Sequence, residues 1–139
     1  MKRALILSLL ALGFATGAFA QDGIIGKWWS PRRDGQIEIY KANGQYFGKL
    51  IWAQKSGKKD IHNPDASLRQ RDVVGLNLFT NFHYDDDDGE WVDGKVYDPS
   101  SGKVYSCKLW LSEDGKVLNA RGYIGFSLLG RTEKFEKVR

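Results

Sequence analysis

From residue 24 onward the apolar residues of this chain recur at every second position, and glycine-rich turns interrupt them at short intervals. A period of two lays apolar side chains along one face of a strand, whereas a helix needs about 3.6 residues per turn. No stretch sustains the helical period, and no longer internal repeat is present. The pattern predicts strands at about 25–30, 36–41, 45–53, 76–83, 90–97, 103–112, 116–124 and 131–138. Gln36-Ile37-Glu38-Ile39-Tyr40-Lys41 alternates cleanly, and Asn43-Gly44 then separates it from Gln45-Tyr46-Phe47, a strong hairpin signal. Pro99 to Gly102 and Ser112 to Lys116 read as further hairpin turns. Many short strands in a meander without a crossover predict an all-β chain folded as an antiparallel up-and-down barrel of about eight strands. One connection, 54–75, is too long for a hairpin. Its Asn63-Pro64 initiates a turn, and Asp65 is placed to cap a short helical turn running through Arg71. Loops of this length are where function is first sought.

The chain begins differently. Met1-Lys2-Arg3 is basic, Ala4 to Phe14 is mostly apolar, and Ala18-Phe19-Ala20 is a small-residue site before Gln21. These are the three parts of a cleavable secretory signal. The apolar stretch, Ala4 to Ala20, is 17 residues with Ser8, Thr16 and two glycines inside it, at the short limit for a membrane span. The expected organisation is therefore a signal over 1–20 and one barrel domain over 21–139, periplasmic or secreted, with no stable membrane anchor after cleavage.

Composition narrows the function. The 139 residues carry a net charge of +4, which falls to +2 without Lys2 and Arg3 of the expected signal; that charge is small and the expected address extracytoplasmic, so no nucleic-acid partner is expected. The one cysteine, Cys107, has no disulfide partner, and Tyr105, Leu109 and Leu111 share its strand face, so it is expected to be buried. Asp85 to Asp88 with Gly89 fails the spacing of a calcium loop, and the segment Gly89 to Lys95 lacks the hydroxyl residue and helix of a phosphate loop. His62 and His83 are too few and too separated to suggest a site. No catalytic group, metal site or cofactor is expected, and oligomeric state is not readable.

Several segments together resemble one exported bacterial family. They are Gly26-Lys27-Trp28, Glu38-Ile39-Tyr40, Tyr46 to Trp52 (YFGKLIW), Asn63-Pro64-Asp65, Leu68 to Arg71 (LRQR) and Trp91 to Pro99 (WVDGKVYDP). Ser101-Gly102-Lys103, Arg121 to Gly125 (RGYIG) and Leu129 to Thr132 (LGRT) complete the set. The sequence resembles the family catalogued as domain of unknown function 2147 across 24–139. It departs where Asp72 replaces a proline and Phe135 replaces a tryptophan. The resemblance implies a small lipocalin-like barrel and no particular activity. Gly26-Lys27-Trp28 is similar to the lipocalin G-x-W signature, in which an indole closes one end beneath a late arginine. In a closed meander the last strand ends beside the first strand's start, which would bring Arg139 to Trp28.

Alternate connections of a meander lie at opposite ends. Loops 31–35, 54–75, 98–103 and 124–131 form one end, with nine basic against five acidic residues, while 41–45, 84–91 and 112–116 form the other, with two against seven. A basic mouth over an apolar interior suits a small, partly apolar, anionic ligand. Trp52, Tyr97 and Tyr123 are candidate wall residues, and Arg69, Arg71 and Arg131 candidate head-group partners. Asn63, Asp65 and Asp98 complete the candidate ligand-binding set. Alternatively Arg69, Arg71, Asp65 and Asp98 tie down the loop through ion pairs. In that case a solid barrel would use the 54–75 loop to bind an envelope protein or polymer; an enzyme built on the same loop is a third reading.

Overall fold

Asn43 and Gly44 both adopt positive φ, 52° and 75°, the backbone a two-residue hairpin needs to match strand twist. They join β2 (Gly35–Ala42) to β3 (Gln45–Ala53). The computed structural model, which describes residues 20–123 and 132–139, adds β1 (Gly26–Trp29), β4 (Asn77–Asp85), β5 (Glu90–Asp98), β6 (Lys103–Leu111), β7 (Val117–Tyr123) and β8 (Thr132–Lys137). Each strand pairs antiparallel with the next, and β8 returns to β1 through Trp28↔Lys137 and Trp29↔Glu136. The result is a closed eight-stranded barrel with no open sheet edge, as the alternation predicted. The helical turn is shorter than expected: a single 3₁₀ turn over Ala66–Leu68, capped by Asp65.

The end away from the long loop is packed solid. Trp28, Tyr46, Phe82, Trp91, Leu109 and Leu118 are almost fully buried there or at mid-barrel. Residues 20–25 fold across this end as a plug, and Ile24 is completely buried. The plug supplies acceptors to donors on three strands. Trp28 Nε1 donates to the Ile24 carbonyl at 2.8 Å, Tyr46 Oη to Asp22 at 2.7 Å, and Trp91 Nε1 to the Gln21 carbonyl at 3.0 Å. Buried aromatic donors are thereby satisfied without water. The cation over the Trp28 indole is Lys137, 5.9 Å from the ring centroid. Arg139, expected in that role, lies two residues beyond it and is exposed; register decides, because Lys137 is the residue paired with Trp28.

Two glycines admit rings into the core. A Cβ on Gly48 would come within 2.9 Å of the Phe79 side chain, and one on Gly94 within 2.3 Å of the Phe82 ring. Phe135 packs edge-to-face on Phe79 at 5.5 Å, so a phenylalanine fills this position with ring contact retained.

Candidate ligand-binding site

The other half of the barrel is not filled. A cavity of about 710 Å³ opens between the strand ends that lead to the long loop. Ile37, Leu78, Phe79, Val96 and Phe135 give it apolar walls, and Ala120 and Gly122 contribute little volume from β7. Apolar walls with a few polar groups, at a volume of roughly 300–1,000 Å³, are what small-molecule sites share. The interior is thus solid at one end and hollow at the other.

Tyr97, Tyr105 and Tyr123 line the cavity together with Ser30. Its charged lining residues, among those described, are Asp98 and Glu133. Of the three candidate wall residues, Tyr97 and Tyr123 face this cavity. Trp52 does not. The β2–β3 ladder pairs Ile37 with Leu50 and then Gln36 with Trp52, so Ile51 is an extra residue on β3. That bulge reverses the alternation and sends Trp52 outside, where it is 43% exposed and packs edge-to-face on Trp29 at 5.9 Å.

The long loop is built around a residue that sequence reasoning missed. Asp60 is completely buried and accepts hydrogen bonds from Tyr97 Oη, Asn63 Nδ2 and Arg71 Nε, the last two at 2.9 Å. Burial pushes its carboxyl pKa up, but the three hydrogen bonds and the Arg71 charge outweigh it and hold the group below its ordinary value. Arg71 is thereby committed to Asp60. Arg69 donates from Nε to the Asn63 carbonyl at 2.8 Å. Asn63 Oδ1 accepts from the Asp65 amide, and Asp65 from the amide and hydroxyl of Ser67. Asp98 accepts from Ser100 and Ser101, shaping the β5–β6 turn. Its burial works against those bonds and the nearby Lys58 charge, with a net lowering of the carboxyl pKa. Asn63, Asp65, Arg69 and Arg71 are gathered into the loop's own framework rather than onto the cavity wall. The turn packs against the loop at Gly102, whose missing Cβ would stand 1.9 Å from the His62 carbonyl oxygen. Arg131, the remaining candidate, lies outside the described residues. Asp60 carried no signal in the sequence, since an aspartate after Lys58-Lys59 reads as part of a solvated polar run.

Cys107 also lines the cavity, from β6, and is 2% exposed. Burial pushes its thiol pKa up to about 12, so very little thiolate exists at neutral pH. Alkylation of the native protein by iodoacetamide near neutrality is expected to run about a thousandfold slower than alkylation in denaturant. Mass spectrometry of the alkylated chain measures this, and equal rates would show an accessible, ionised thiol instead.

A closed eight-stranded antiparallel barrel, plugged at one end and hollow at the other, is the architecture of a lipocalin-like protein. A solved structure titled "Protein HP1028 from the human pathogen Helicobacter pylori belongs to the lipocalin family" is similar, with a TM-score of 0.74 and 20% identity over 84% of this chain and 83% of that one. That likeness is one of fold. Residues 26–137 match the family model described as an uncharacterized protein conserved in bacteria, DUF2147, and the chain belongs to this family. No curated protein matches it.

Proposed function

We propose that this is an exported lipocalin-like binding protein that carries a small, partly apolar ligand in the open half of its barrel. The observation that carries this reading is the cavity of about 710 Å³ with its apolar walls. The neighbouring lipocalin fold supports a binding role, and the basic, apolar and small-residue segments of 1–20 support export. The ligand's apolar body enters first. Its head is anionic and stays outside the lining carboxylates Asp98 and Glu133, at the rim where Lys103 pairs with Asp98 across the β5–β6 ladder and the Lys58 charge reaches that carboxylate. Lys58 and Lys103 take the place of Arg71, whose guanidinium is paired with the buried Asp60, and of Arg69, whose guanidinium is held on the Asn63 carbonyl.

Native mass spectrometry of protein recovered from a bacterial periplasm tests the reading. The expected result is an N-terminus at Gln21 and a stoichiometric mass excess that disappears on denaturation. Ala120→Trp, which fills the cavity from β7, is expected to abolish the excess. Lys58→Ala with Lys103→Ala is expected to weaken it by roughly tenfold or more. An apo mass that stays apo after incubation with amphipathic carboxylates would overturn the binding role.

A further inference from the structure

Among the described residues, the large apolar side chains left exposed are Ile25, Trp52, Ile61, Val74 and Val104. All except Ile25 lie in the long loop or at strand ends leading into the cavity end of the barrel. Ile61 and Val104 protrude furthest, each 61% exposed. Trp52 and Val74 share a shallow outer depression with Lys58, and Arg33 lies over the neighbouring Trp29 at 5.5 Å. The same end presents Arg32, Lys55, Lys58, Lys59 and Lys103 as exposed cations. Asp34, Asp65 and Asp72 are exposed at this end too, with Asp72 paired to Lys59, and Asp60 is buried against Arg71, so cations remain in excess there. At the far end, Asp86, Asp87 and Asp88 are exposed on the β4–β5 turn, with Glu113 and Asp114 on the β6–β7 turn. The barrel is therefore polarised along its axis, basic and apolar at the mouth and acidic at the base.

A protein partner would call for a contiguous apolar core ringed by polar groups. Here the exposed apolar side chains are few and each has a lysine close by: Lys58 in the depression of Trp52 and Val74, Lys59 two residues before Ile61, and Lys103 next to Val104. That distribution matches the boundary of an anionic bilayer, where indoles sit among head groups, short apolar side chains enter the acyl edge and lysines meet phosphates. We propose that the cavity end of the barrel docks on an anionic lipid bilayer with the cavity mouth facing the lipid. The docking is peripheral, reversible and independent of whether the cavity is loaded.

The described plug and ladders lie within residues 20–139, and a chain of those residues is the test protein. It is sedimented with vesicles of phosphatidylcholine alone or with roughly one-third phosphatidylglycerol, at low and high salt. Binding is expected on the anionic vesicles at low salt, with release at high salt. Arg32→Gln with Lys55→Gln, exposed cations outside the proposed ligand site, is expected to lower the partition coefficient roughly 25-fold, and Trp52→Ala to lower it further. Asp86→Asn with Asp87→Asn, at the acidic end, leaves it within about twofold. Absence of binding, equal binding to neutral vesicles, or indifference to the Arg32 and Lys55 changes would each overturn the proposal. None of these results bears on the mass excess that tests ligand carriage.

Discussion

Asp60→Ala is expected to melt roughly 10 °C below the parent protein, a loss of about 3 kcal/mol for a domain of this size. The carboxylate is completely buried and accepts from Tyr97, Asn63 and Arg71. Removing it leaves those donors facing one another across a void. Arg71 and Tyr97 are only partly buried, so water recovers part of the loss and the cost stays below that of a fully buried charge pair. Hydrogen exchange should show the effect concentrated in residues 58–73, where the Asp60 amide bonds the Arg71 carbonyl and the Val73 amide the Lys58 carbonyl. The sign of the pH dependence follows from the lowered pKa of Asp60. Its stabilisation is complete above the ordinary value of 3.8 and is lost as pH falls through the lower folded value. The parent should therefore lose stability on acidification below about pH 4 through a component that Asp60→Asn lacks. Calorimetry across that range decides the matter; parallel curves for the two proteins would show that Asp60 is not what anchors the loop.

Gly94→Ala should be comparably damaging, although it adds one methyl group. Its Cβ would meet three atoms of the Phe82 ring at 2.3–2.4 Å, and Phe82 is completely buried. Gly94 follows a register irregularity in which Asp93 takes a φ of 61°, so neither strand can slide to make room. Overpacking of this kind costs about 3 kcal/mol. Combining Gly94→Ala with Phe82→Leu should cost clearly less than the sum of the single changes, since the second change removes the obstacle created by the first. Additive losses in a thermal-melt cycle would show that the ring contact is not the cause. Gly115→Ala is the control: its φ of 71° disfavours a side chain, but nothing lies within 4 Å of the new methyl group, so only about 1 kcal/mol is at stake.

The strands and turns were legible because they are local. Alternation gives the face of each residue, and Asn43-Gly44 gives the hairpin between Ala42 and Gln45. What alternation cannot give is depth along the barrel axis. Trp28 and Tyr97 both sit in strands read from the sequence, yet one is sealed in the packed half and the other lines the cavity. Irregularities also escape it: the bulge at Ile51 turned Trp52 from an expected wall residue into a surface one. The loop's basic and acidic residues were visible as a cluster, but their partners come from long-range closure. Tyr97, 37 positions away in sequence, is what makes Asp60 a hub. The residues that shape the loop and those that line the cavity are mixed in sequence, and Tyr97 belongs to both sets.

The plug at the packed end has a consequence for processing. Ala20 and Gln21 stand at the junction where an export peptidase is expected to cut, and the next residues are already core. Gln21, Asp22 and Ile24 each accept from a buried or partly buried aromatic donor. A cut a few residues late would strip acceptors from Trp91 and Tyr46 and uncover the base of the barrel. On the export proposed above, an amino terminus left by a cut after Ala20 would have almost no slack, since the first acceptor of the plug is the Gln21 carbonyl itself.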